Sequence, residues 1–234
     1  MRPFCRILTI VLFGSLSCCG FALQTKPETC SLECVLKKMD EAASNFRSAQ
    51  ADFVWDQYQK VVDEHDTQKG TVYYRRVGKE IEMMAEIKEP DAKFVLYKDG
   101  KIQIYQPKIE QVIVYPTAGN QSEIESYLVL GFGGSGQDLK KSFEVSYVGE
   151  EIVGGIATAK LQLIPKSEKF RNNVSKILLW IDLSRGISLQ QQFFLLQGDN
   201  RLAQYSSVQM KAKIGNDVFQ LKTTKKTQFV SPRG

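Results

Sequence analysis

From Ala51 to near its end, the chain repeats with a period close to two. The stretch with Ile81, Met83, Ala85 and Ile87 alternating against Glu80, Glu82, Glu86 and Lys88 is the cleanest case: a strand with one dry face and one wet face. The same pattern predicts strands over 53–61, 71–76, 94–98, 101–106, 112–115, 143–148, 156–164, 175–182, 189–196, 201–210 and 218–222. Asp99-Gly100 is a type I′ hairpin signal between two of them. Arg185-Gly186 and Gly198-Asp199-Asn200 mark further turns. Against these strands stands one long helix, where Leu32, Val35, Leu36, Met39, Ala42, Ala43 and Phe46 recur at three- and four-residue steps behind a Ser31 N-cap. About eleven antiparallel strands at ~4.8 Å spacing would make a flat sheet roughly 50 Å wide. One helix about 10 Å across cannot cover such a face. The sheet must therefore curl until its apolar face looks at itself, with helices closing the mouth.

The interior of a curled sheet is lined by alternate strand residues. Phe53, Trp55, Ile81, Met83, Ile87, Ile102 and Ile104 are the residues expected there. Taken alone they are what any β core shows. Two points lean toward a cavity: Ala85 leaves room in a bulky row, and Met83 and Met84 suit an adaptable surface. The space is either filled by side chains or left for an apolar guest.

The first residues read as a secretory leader rather than as structure. Arg2 and Arg6 precede an apolar run over 7–16, with Gly20 and Ala22 at the small-x-small positions. Residues 1–22 are thus expected to be a signal peptide and 23–234 a single domain, since no repeat, linker or low-complexity tract divides the chain. The leader carries two arginines and no acid, so the formal charge falls from +5 to +3. That balance is no nucleic-acid signature, and no stretch reaches the ~18–20 apolar residues of a membrane span. Of five cysteines, Cys5, Cys18 and Cys19 lie in the leader. Leu16 and Ser17 also suit a lipoprotein box ahead of Cys19, which would anchor the chain by lipid instead. Cys30 and Cys34 either share a helix face or form a small disulfide.

Chemistry-bearing motifs are few. Gly131-Phe132-Gly133-Gly134-Ser135-Gly136 satisfies G-x-G-x-x-G, but no βαβ unit surrounds it. It reads as a flexible joint between a short helix opened by the capping box Ser122-Glu123-Ile124-Glu125 and a helical turn around 138–141. Ser135 does not fit a nucleophile elbow. The one histidine, His65, sits in the acidic hairpin Asp63-Glu64-His65-Asp66. No nucleophile, base and orienter assemble, so the expectation is a non-enzyme without cofactor or metal.

The order of these features also carries a resemblance. After the leader and amphipathic helix come Ala51-Asp52-Phe53 and Gly70-x-x-Tyr73-x-Arg75-Arg76. Then follow Glu89-Pro90-Asp91, Asp99-Gly100-Lys101-x-x-x-Tyr105-x-Pro107-x-x-Glu110-Gln111-Val112, and Asp217-x-Phe219-x-Leu221. This resembles the outer-membrane lipoprotein carrier (LolA-like) family of diderm bacteria over nearly all of the mature chain. The resemblance implies a mainly β fold, an unclosed antiparallel barrel of about eleven strands with a helical lid over an apolar cavity. It implies a monomeric periplasmic carrier that takes acylated lipoproteins or lipid from an inner-membrane ABC-type exporter to an outer-membrane receptor. The alternatives for this chain are a lipid-anchored outer-membrane receptor of the same fold, or a periplasmic sensor or scaffold. It further implies that Arg76 latches the lid by hydrogen bonds to backbone, with a guanidinium's five donors suited to the task. This chain departs from the family in having Val77 where a proline often follows the arginine, and Met83 and Ala85 where aromatics are common.

Overall fold

The computed structural model describes residues 30–78, 80–117, 125, 127–128 and 130–232. The leader, Cys19 and residues 122–124 of the capping box lie outside them. Helix α1 (Leu32–Ser44) starts where Ser31 Oγ accepts the Cys34 N–H at 3.3 Å, so the expected cap closes it. Cys30 and Cys34 are joined by a disulfide across that first turn.

The strands are β1 (Ser48–Gln59), β2 (Glu64–Val77), β3 (Glu80–Glu89), β4 (Lys93–Lys98), β5 (Lys101–Gln106), β6 (Gln111–Pro116), β7 (Phe143–Val153), β8 (Ile156–Pro165), β9 (Val174–Asp182), β10 (Ser188–Leu195), β11 (Asn200–Met210) and β12 (Gln228–Val230). Two short helices, α2 (Gly136–Ser142) and α3 (Glu168–Arg171), lie on either side of β7 and β8. All twelve strands form one sheet in the order β12-β6-β5-β4-β3-β2-β1-β11-β10-β9-β8-β7. Every pairing is antiparallel except β12 on β6, and the two end strands do not meet. The fold is mainly β and unclosed. Asp99 and Gly100 take φ of 50° and 64°, both left-handed, as a type I′ turn demands.

Two expectations need correction. Residues 218–222 are not a strand. Asn216–Phe219 is a 3-10 turn that drops Phe219, 1% exposed, onto the outer face of the sheet beside Met84 and Leu96. The alternation of Asp217, Phe219 and Leu221 comes from a segment lying on a sheet, not within one. The C-terminal strand is instead the three-residue β12, too short to leave a periodic trace. Strand β7 also runs past 148, because a bulge between Tyr147 and Gly149 shifts its register and hides the continuation.

Buried side chains fall into three clusters. In the first, α1 lays Val35, Leu36 and Met39 on the concave face of β8 and β9, against Leu161, Leu179 and Ile181. The second fills the concave side of β1–β4 around Phe53, Val72, Met83 and Tyr97. The third is the small outer cluster under Phe219.

Candidate functional site

Strand alternation decides which side chains enter the curl. Along β1 the inward residues are Ala49, Ala51, Phe53, Trp55 and Gln57. Register across the ladder sets Phe53 against Gly70 and Trp55 against Gln68 on β2, and Ala203 of β11 beside Trp55. Five of the expected cavity residues, Phe53, Ile81, Met83, Ala85 and Ile87, are buried in one cluster, at most 6% exposed. Trp55 and Ile102 pack against that cluster. Ile104 lines a cleft beside it, together with Trp55 and Ile87. The structure therefore brings all eight residues to the same concave side. Met84, one residue from Met83, points outward and is covered by Phe219.

Gly70 permits the approach of rings on this face. A Cβ there would fall 1.9 Å from the Glu86 carbonyl oxygen and 2.9 Å from the Phe53 ring. Phe53 and Trp55 then stack at 4.2 Å between centroids.

At the end of the curl where β1 begins, the glycine run closes the space. It is not the flexible joint expected from its composition. Leu130 enters the first cluster and Phe132 the second, each no more than 1% exposed, so the run pins both halves of the interior. Phe132 stacks on Tyr74 at 5.4 Å and meets Tyr205 edge-on at 4.8 Å. Ser188 N donates to Gly131 O at 2.9 Å, and the Gln191 amide donates to Leu130 O. Gly131 and Gly133 have φ of 81° and 108°, and a Cβ at Gly133 would sit 2.7 Å from the Phe46 ring. Glycine is required there both for conformation and for space. Helix α2, which follows, has its leading N–H groups occupied: Asp138 N donates to Ser135 Oγ at 3.0 Å and Gln137 N to Asp40 Oδ1 at 3.2 Å.

Arg76 reaches this plug. Its guanidinium donates to Gly133 O at 3.3 Å and lies over the Phe46 ring at 5.7 Å, while its Nε is buried with no partner. Asp138 faces it with a carboxyl held below the usual range, chiefly by Lys141 and Ser135 and lastly by Arg76 itself. Arg75, next in the chain, points to the opposite face. It ion-pairs with Glu82, stacks on Phe219 at 4.3 Å and donates to Asn216 Oδ1 at 2.5 Å.

Burial pushes the Tyr74 and Tyr205 phenols well above their ordinary value, so both stay neutral. His65 is exposed on β2 and pairs with Asp56 at 2.7 Å, far from any nucleophile arrangement. Among the described residues no group of three or more His, Cys, Asp or Glu is placed to hold a metal. No helix among them is long and apolar enough to cross a membrane.

Sequence reasoning missed Phe132, Phe46, Tyr74 and Tyr205 as parts of this site. Tyr74 was within reach, since it shares parity with Val72 and Arg76 on β2. Phe132 also carried a signal: one large apolar side chain among glycines marks a plug better than a hinge.

A curled, open sheet with a plugged apolar interior defines a class of half-barrel β proteins. Within that class the chain belongs to the outer membrane lipoprotein carrier protein LolA family, whose model matches residues 44–222. Among solved structures, an uncharacterized conserved protein from Thermus thermophilus superposes with a TM-score of 0.54 at 12% identity, covering 85% of this chain and 98% of that one. MucB superposes with a TM-score of 0.51 at 16% identity, covering 81% of this chain. This chain spans 62% of the length of MucB. At such identities the likeness is one of fold. No curated protein sequence matches the chain.

Proposed function

We propose that the exported chain is a periplasmic carrier that shields the acyl chains of lipoproteins, or of a related lipid, between the inner and outer membranes. The supporting observation is an interior whose apolar strand faces are closed at one end by the Phe132 loop together with Phe46 and Leu128, and Arg76 touches that loop through a long hydrogen bond to Gly133 O. Each buried CH₂ is worth about 0.8 kcal/mol, so a long chain leaves a bilayer only for a comparable apolar space. In this reading Arg76 is the latch. Its unpartnered Nε leaves the closed state easy to abandon when cargo competes for the interior. An inner-membrane ABC-type exporter and an outer-membrane receptor are the partners this role calls for, and it needs neither catalytic residues nor a cofactor.

The test is mass spectrometry of lipid co-purifying with the exported protein, together with transfer of a diacylated probe peptide. Bound acyl lipid and probe uptake are expected. A protein that carries no lipid and takes up no acylated probe would remove the carrier reading.

A second reading is a periplasmic scaffold of the same fold. The observation that favours it is the packed state of the plugged end, where Phe46, Tyr97 and Phe132 are fully buried against one another's cluster. It predicts a stable protein complex and no extracted lipid. The mass of the mature N-terminus decides between the soluble carrier and a receptor lipidated on Cys19.

A further inference from the structure

The concave face changes character along its strands. Toward the plug the inward residues are Tyr74 and Val72 on β2, Tyr97 on β4 and Tyr205 on β11. At the other end, the same inward rows finish in Gln57 on β1, Asp66 and Gln68 on β2, Lys93 on β4 and Arg201 on β11. These polar ends ring an open cleft of about 240 Å³ whose floor is Trp55, Ile87, Val95 and Ile104. A second cleft of about 350 Å³ continues from it past Asp66, Gln68 and Lys93 to Ile109.

The collar is not electrically balanced. Lys108 in the second cleft is paired with Asp91 at 3.2 Å. Asp66 accepts from Gln68 at 2.9 Å, and Arg201 donates to the neutral Gln57 at 2.8 Å. Among the described residues neither Lys93 nor Arg201 makes a direct salt bridge; Asp66 acts on Arg201 only through space, so two cations face one carboxylate over an apolar floor. Along β1 the cleft runs from Trp55 to Gln57, roughly 7 Å at the strand rise per residue, and the second cleft extends it.

We propose that this open end is a binding site for a single-chain anionic amphiphile, in its simplest form a long-chain carboxylate. The chain lies on Trp55, Ile87, Val95 and Ile104, and the head group is held by Lys93 and Arg201. This rests on the lipid-carrier reading and adds to it an end-to-end orientation and a preference for charge.

The protein contains two tryptophans, Trp55 and Trp180, so Trp180→Phe leaves Trp55 as the only indole, excited selectively beyond the absorption of tyrosine. The probes are 11-bromoundecanoate, 11-bromoundecanol and 11-bromoundecyltrimethylammonium, whose bromine quenches a nearby indole. Calorimetry on the unsubstituted protein measures the same affinities in case Trp180→Phe disturbs the fold. The carboxylate is expected to bind and quench Trp55, with the cationic probe at least about tenfold weaker. Lys93→Gln and Arg201→Gln should each weaken carboxylate binding by about threefold to fivefold, as partly exposed ion pairs do. Raising the salt from 0.1 M to 1 M, where the Debye length falls from about 10 Å to 3 Å, should weaken it further. Equal binding of all three heads, or no effect of the double substitution, overturns the charged collar while leaving the carrier reading intact. Calorimetric binding without Trp55 quenching overturns the location. If no probe binds, this site falls, and lipid co-purification separately decides whether the carrier reading falls with it.

Discussion

At the scale of single residues, parity along a strand does most of the assigning. Phe53, Trp55, Ile81, Met83, Ala85 and Ile87 were legible as inward because each sits two residues from the next on a strand whose other face is polar. The same parity turns Arg76 inward and Arg75 outward, so two adjacent arginines serve opposite surfaces. What alternation cannot show is tolerance. Gly70 looks like any strand glycine in the sequence, yet a Cβ would collide with backbone at 1.9 Å. Gly70→Ala should therefore cost on the order of 1–3 kcal/mol or more, as overpacking does, read as a lower urea midpoint with an unchanged slope. Asp182 is a second residue-scale case. Its carboxylate is 1% exposed; burial pushes its pKa up, but hydrogen bonds from Ser184 and Arg185 outweigh that and hold it below the ordinary 3.8. A lowered folded-state value means its contribution to stability is present above about pH 4 and is lost as pH falls through that value. Asp182→Asn should lower neutral-pH stability by roughly 1–3 kcal/mol and flatten the acid limb of a stability-against-pH curve.

At the scale of elements, the sequence was most misleading where a segment packs on the sheet without joining it. The turn Asn216–Phe219 shows strand-like alternation because Phe219 must face the convex side of β3 while its neighbours face water. It is held by the Arg75 stack and by Arg75's bond to Asn216, and Glu82 in turn orients Arg75 with help from Lys98 at 3.2 Å. Phe219→Ala should cost about 3 kcal/mol or more, the range for a fully buried phenylalanine. Amide exchange should rise over 214–221 while β8 and β9, packed under α1, keep their protection. The glycine run was misread for a related reason. Glycines signal backbone freedom in isolation, and only the tertiary structure shows that the freedom is spent on fitting Gly133 beneath Phe46.

At the scale of the whole molecule, the curl was legible in the sequence, because the mismatch between one helix and about eleven strands is a matter of areas rather than of element boundaries. How full the curl would be was not legible, since it turns on Phe132, a residue outside every strand. Phe132→Ala should empty that end of the interior, raising the fluorescence of an apolar dye bound to the protein and lowering its melting temperature. Arg76→Leu removes a guanidinium with one long bond and one unpartnered nitrogen, so its thermal stability should stay within about 1 kcal/mol of the parent. Cargo retention or release should nonetheless change, and unchanged transfer kinetics would take Arg76 out of the mechanism.

The end strands β7 and β12 do not meet. In a closed barrel, strand number and shear together fix the radius, and the lumen has one size. Among the described residues no ladder ties the two rims, so strand number and shear do not fix the radius; the loop carrying Leu130 and Phe132, which pins both halves, does. Widening the gap enlarges the lumen without breaking a single interstrand bond. In the carrier reading proposed above, release of that loop lets the sheet work as a leaf spring rather than a pipe, so that one sequence fits guests of different girth.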